Sequence, residues 1–167
     1  MATTDYEIES QRKLADFAYD LKEKYNLTHG QTRKEFLNMY DYGEITLSTV
    51  FENLFVAVAN AKGKQIDKIS EDGRDFTNNG DMKIGILKKD GYRRRYVINN
   101  VANKIGTIYF VGWNWMTNKP EFHAIPKHVY GCPSQGIKIP RCPYSGDVTG
   151  GKYNYYSKDS FEELALA

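Results

Sequence analysis

The sequence predicts a mixed α+β domain, and three observations carry that prediction. Apolar residues recur at helical spacing through residues 1–63. Short β-branched and aromatic segments, separated by Gly, Asn or Asp, follow over 64–126. The stretch 127–167 is rich in Pro, Gly and Tyr and ends on a short capped segment. Helices first and strands later place the chain in the α/β class, of α+β or mixed packing. Nothing between these parts has the composition of a flexible linker, and 167 residues suit one domain with its own core.

The helical part reads as three segments. Ile8, Leu14, Phe17, Ala18 and Leu21 set the period of the first, which runs toward Asn26. A short second helix is expected over 32–39. The third has the clearest pattern: Leu47, Val50, Phe51, Leu54, Phe55 and Val58 follow i, i+3, i+4, i+7. Thr46 or Ser48 can cap it, and it ends at Lys62 and Gly63.

From Lys64 the period changes to two. "KQIDKIS", "DMKIGIL", "RRRYVI", "GTIYFVGW" and "EFHAIP" read as a strand meander, with one helical or turn segment near 99–103. Thr117, Asn118 and Lys119 form a hairpin turn, and alternation puts Trp113 and Trp115 on one face as core residues. The tail after Pro126 reads as loop with one short hairpin. "KDSFEELALA" is a final short helix, capped by Asp159 or Ser160, with Glu162 and Glu163 in its first turn.

Composition excludes some classes. Aromatics make up 14% of the chain, which is incompatible with a disordered segment. A net charge of +2 neither demands nor excludes nucleic acid, so only local clustering can argue for it. The polar start "MATTDYEIESQRK" lacks a signal peptide's apolar stretch, and no apolar run approaches the ~18 residues of a membrane span. A soluble, cytoplasmic protein without membrane contact is the expectation. In that compartment Cys132 and Cys142 are thiols or metal ligands rather than a disulfide.

The stretch "DGRDFTNNGDMK" carries the chemistry. Asn78, Asn79 and Gly80 form a strong turn, since Asn and Gly tolerate positive φ. A tight hairpin there brings Asp75 near Asp81. On the strand, Asp81 and Lys83 share one face, while Met82, Ile84 and Ile86 fill the core from the other. Two neighbouring carboxylates repel, and a divalent cation relieves that repulsion. Mg²⁺ takes one or two carboxylates plus water and phosphate oxygens. It then lowers the pKa of an attacking water. A lysine two residues on can orient that water.

An acid, a short gap and then Asp-x-Lys on a strand resembles the PD-(D/E)XK nuclease superfamily, which includes many type II restriction endonucleases. The resemblance covers roughly residues 52–126. It implies a restriction-endonuclease-like central mixed sheet flanked by helices, with the N-terminal helices packed on one side. It also implies a Mg²⁺-dependent DNA endonuclease, with Mn²⁺ as a substitute ion. Asp75 and Asp81 would hold the metal, Lys83 would assist the water, and Glu52 on the preceding helix would help. Two departures stand out. Arg74, not proline, precedes Asp75, and the gap to Asp81 is short, so Asp72 or Glu71 competes for the first acid. Glu52 also has a plainer reading, as a capping-box partner of Thr49.

The sharpest basic cluster is "YRRRYVINN". Arg93, Arg94 and Arg95, with Lys104 nearby, suit the phosphates of double-stranded DNA. The plain alternative is an edge strand protected by charge. A nuclease cutting a palindrome would be a homodimer. His123, His128, Cys132 and Cys142 are of types that suit Zn²⁺, but no pair has close zinc-ribbon spacing, and buried thiols with a hydrogen-bonded histidine are the default. Two rival functions follow: a non-catalytic nucleic-acid-binding protein, or an interaction domain with a zinc-tied tail.

Overall fold

The computed structural model describes residues 5–167; the first four residues of the polar N-terminal stretch lie outside the described residues. Three helices come first: α1 (Asp5–Lys24), α2 (Arg33–Asp41) and α3 (Leu47–Ala61). Local chemistry sets their starts. Thr32 and Glu35 form a reciprocal capping box on α2, and the Thr46 hydroxyl accepts from the Thr49 backbone N–H at the head of α3.

Nine strands follow among the described residues: β1 (Lys68–Glu71), β2 (Arg74–Phe76), β3 (Asp81–Ile86), β4 (Lys88–Asp90), β5 (Arg93–Ile98), β6 (Ile108–Asn114), β7 (Lys119–Ile125), β8 (Ile137–Arg141) and β9 (Ser157–Lys158). A short helix α4 (Lys127–Tyr130) and a 3₁₀ turn (Lys152–Tyr156) interrupt the later ones. The chain ends on α5 (Phe161–Leu166), capped by Ser160.

The strands do not form a meander. They sort into a mixed sheet of order β3-β6-β7-β9, an antiparallel sheet β4-β5-β8 and the small hairpin β1-β2. β3 pairs with β6 in parallel, Asp81 opposite Ile108, so the chain leaves the first sheet after β3 and returns two strands later. The reason is burial. Every residue of β6 is buried, which suits a central strand covered on both faces. The charged β4–β5 hairpin cannot occupy that position, and it moves into a second layer.

The mixed sheet's two faces have different covers. On one, α1, α3 and α5 pack over Met82, Ile86, Tyr109, Val111, Phe122 and Ala124. The Phe55 ring lies 4.7 Å from Phe76 and 4.4 Å from Tyr109, centroid to centroid. On the other face, Tyr96 and Ile98 of β5 and Ile137 and Ile139 of β8 pack against Ile108, Phe110 and Ile125. The α+β class therefore holds, and the N-terminal helices do share one side. The expected helices on both faces do not occur, because the second face is sealed by the β4-β5-β8 sheet. Gly85 and Gly112 are cross-strand partners, and a Cβ on Gly112 would stand 2.7 Å from both the Phe110 and the Tyr96 ring. The two glycines make room for the aromatics between the sheets.

The tail also carries more structure than its composition suggests. β8 pairs with β5 along its whole length, and β9 extends the mixed sheet. Pro140 is tolerated in β8 because that strand lies at a sheet edge, with β5 on its other side. Among the described residues, no helix is long and apolar enough to cross a membrane.

Candidate active site

Asp75 and Asp81 are brought together by the turn between them. Asn79 adopts φ +71°, its N–H donates to Phe76 O at 3.0 Å, and Gly80 N–H donates to Asn78 Oδ1 at 2.9 Å. Asp75 N–H donates to Gly80 O at 2.8 Å, which closes the turn. β2 then pairs with β1 rather than β3, so the two strands part immediately beyond it. What links them is a side chain: Met82 N–H, on the unpaired edge of β3, donates to Asp75 Oδ2 at 2.9 Å. A carboxylate thus satisfies an edge donor that a neighbouring strand would otherwise take.

Asp81 and Lys83 share a face as alternation requires, and Met82, Ile84 and Ile86 point to the helical core. Asp81 is only 2% exposed. Lys83 Nζ lies 4.0 Å from its Oδ2, and Lys104 Nζ lies 3.3 Å from its Oδ1. Lys104 stands outside hydrogen-bonding geometry, so the buried Oδ1 has no donor among the described residues. Desolvation pushes the Asp81 carboxyl up to about 6; the Asp75 charge and a carboxyl–carboxyl hydrogen bond add to this, against the pull of Lys104 and Lys83. Burial lowers Lys83, and the Lys104 charge acts in the same direction. Glu52 is raised by burial first, then by the charges of Asp75 and Asp81.

These placements decide several expectations. Glu52 does not cap α3, since Thr46 holds that role and Thr49 lies inside the helix. Its side chain instead feels both aspartates. Of the competing first acids, Glu71 pairs with Arg74 at 2.7 Å and Asp72 is exposed, whereas Asp75 faces Asp81. Lys104, expected on a DNA phosphate, is turned inward to Asp81 with its side chain 17% exposed. Ile105 N–H donates to Gly73 O at 3.2 Å, docking the 99–105 loop beside the acid turn, and no local pattern announces that contact. Tyr130 was also invisible as a site neighbour. Its hydroxyl donates to Gly106 O at 2.6 Å, and burial followed by the Asp81 charge pushes it up to about 12.

The arginines lie elsewhere. Arg94 packs over Trp115 at 5.7 Å, and Arg95 pairs with Asp90 at 2.6 Å; Arg93 is exposed. Trp115 follows the far end of β6, so this cluster is separated from Asp81 by the six-residue length of β3. At ~3.3 Å per residue that is about 17 Å.

The four histidines and cysteines do not converge. His123 is fully buried, with Nε2 3.4 Å from Arg141 and no hydrogen-bond partner for Nδ1. Burial, then the Arg141 charge, lowers it to about 4, so it is neutral near pH 7. Cys132 is exposed, 3.6 Å from Lys127 Nζ. Cys142 sits in its own turn, where the Ser145 hydroxyl lowers its thiol. His128 is exposed on α4. Among the described residues, no group of three or more His, Cys, Asp or Glu is placed to hold a metal ion.

The Asp75–Asp81 pair falls short of such a group and could hold a hard divalent cation only with further ligands from outside the chain. Two carboxylates, one with a donor-less buried oxygen, match Mg²⁺, which takes the rest of its shell from water and phosphate. They do not make an all-protein cage. Fold and site together define a mixed α+β domain with a buried acid–lysine cluster at a sheet edge. Compared with protein-family models, with curated proteins and with solved structures, the chain matches none.

Proposed function

We propose that the protein is a Mg²⁺-dependent endonuclease that hydrolyses phosphodiester bonds in DNA. The observation that carries this reading is the convergence of Asp75, Asp81 and Lys83, from two strands, around a buried carboxylate oxygen that lacks a donor, with Glu52 of α3 near enough for the two aspartates' charges to raise it. Bound by Asp75 and Asp81, Mg²⁺ or its substitute Mn²⁺ would supply charge stabilisation at the phosphate and a more acidic water. The chain's own groups do the rest. The Asp75 carboxylate is held in place by Met82 N–H. Lys83, made a weaker base by burial, positions the attacking water and offsets charge that grows on the phosphate. Lys104 balances Asp81 when the site is otherwise uncompensated. Glu52 adds negative potential that favours a cation. Arg93 and its neighbours bind the DNA backbone, and cutting a palindrome would call for a homodimer.

The test is cleavage. Purified protein is incubated with mixed plasmid and phage DNAs in Mg²⁺ or EDTA, beside an Asp81→Ala variant. Discrete fragments that need the ion and vanish in the variant are expected. No cleavage of any DNA under any condition would refute the reading. The Lys104–Asp81 ion pair at 3.3 Å supports a second reading, in which the cluster is self-neutralised and the protein only binds nucleic acid. In that case binding survives both EDTA and the variant.

A further inference from the structure

The outer face of the β4-β5-β8 sheet holds a second feature, distant from the acids. Alternation sends Tyr96 and Ile98 of β5 inward and Arg93 and Arg95 outward, and on β8 it sends Lys138 and Pro140 outward. Cross-strand pairing sets Arg95 opposite Pro140. The result is a shallow groove of about 390 Å³ lined by Tyr92, Arg93, Arg95, Lys138 and Pro143 among others. Arg95 is matched by Asp90, but Arg93 and Lys138 have no acidic partner among the described residues.

One exposed tyrosine lines the groove, and a second follows the lining residue Pro143. Tyr92, in the β4–β5 turn, is 72% exposed, and Tyr144, next to Pro143, is 89% exposed. Neither ring is needed for packing. Both stand on fixed backbone. The turn after β8 is closed by Cys142 N–H to Asp147 O and by Gly146 N–H to Cys142 O, both 2.8 Å, and Asn114 Nδ2 donates to Gly146 O at 2.7 Å. Unpaired cations beside exposed aromatic rings are what an unstacked strand requires: phosphates on the cations, bases on the rings. A duplex backbone uses the cations alone, because its bases are already stacked.

We propose that this groove binds single-stranded nucleic acid, with bases stacking on Tyr92 and Tyr144 and phosphates on Arg93 and Lys138. The inference rests on a nucleic-acid partner, as the proposed function does, but not on cleavage. The groove's distance from Asp81 would place an unpaired segment of the substrate away from the scissile bond.

Fluorescence anisotropy with a labelled oligo-dT of about 16 nucleotides tests it. The measurement is made in EDTA, on the full chain carrying Asp81→Asn, so that the probe stays intact. Oligo-dT binding is expected, with Tyr92→Ala and Tyr144→Ala each weakening it about tenfold while duplex binding stays unchanged. Arg93→Ala with Lys138→Ala should reduce the dependence of log K on log salt by about 0.7 per lost phosphate contact. All four side chains are exposed, so unchanged melting temperatures should accompany these losses. Equal weakening of duplex binding by the tyrosine variants, indifference of oligo-dT to both, equal binding of polyglutamate, or no binding would each overturn the proposal. Binding without any cleavage by the unsubstituted chain would leave this site standing and remove the nuclease reading alone.

Discussion

Asp81→Asn removes one buried charge while keeping the side chain's shape. In the folded protein the Asp81 carboxyl titrates at about 6 against an ordinary 3.8, chiefly through desolvation. The folded state therefore binds this proton more tightly than the unfolded chain does. The resulting stability is complete below about pH 4 and is lost as pH rises from about 4 to 6. At 1.36 kcal/mol per pH unit the loss amounts to roughly 3 kcal/mol. His123 slopes the other way. Its value of about 4, below the ordinary 6.5, means that its contribution is present above about pH 6.5 and is lost as pH falls toward 4. The wild-type profile is thus a sum of opposed slopes, and the difference between wild type and variant isolates Asp81. Urea unfolding in EDTA across pH 4 to 7 should show the Asn variant gaining about 3 kcal/mol on the wild type. Mg²⁺ at ten times its Kd should then stabilise the wild type by about 1.4 kcal/mol and leave the variant unmoved. Parallel pH profiles would refute the burial reading of Asp81. An equal Mg²⁺ effect in both proteins would refute its role as a ligand.

Other substitutions separate chemistry from structure. Lys83→Ala should slow single-turnover DNA cleavage about 10²–10³-fold while oligonucleotide binding stays unchanged. Phe55→Ala removes the ring stacked on Phe76 and tilted against Tyr109, and should cost about 3–5 kcal/mol in urea unfolding. His123→Leu should flatten the acid side of the stability profile between about pH 6.5 and 4, as followed by circular dichroism. Gly106→Ala would drive a Cβ to within 2.2 Å of Asn79 O, so it should destabilise by about 1–3 kcal/mol and, by displacing the acid turn, also reduce cleavage.

Much of the site's local geometry was legible in the chain. Asn79 at positive φ closes the turn between the aspartates, and the two-residue alternation of β3 puts Asp81 and Lys83 opposite Met82, Ile84 and Ile86. These are short-range consequences of backbone sterics and pleat. Lys104 reads as a DNA contact in the sequence because a charge cluster there resembles a surface patch. Its inward position depends on the 99–105 loop docking at Gly73, a contact between residues about thirty apart. Tyr130 lies still further along the chain and joins through Gly106.

Sequence alone determined the class of the domain, the starts of α3 and α5 through their caps, and the segments that became β1, β3, β5, β6 and β7, because each rests on interactions within a few residues. It also marked Asp75, Asp81 and Lys83. The tertiary structure decided which strands pair, and it turned an apparent meander into two sheets with a parallel crossover between β3 and β6. It separated the arginines from the acids by the length of a strand and paired Asp81 with a second lysine. Periodicity reports which face of an element is buried, but not against what. That choice is made by competition among all the apolar faces of the chain for a common core, and here the wholly buried β6 took the centre.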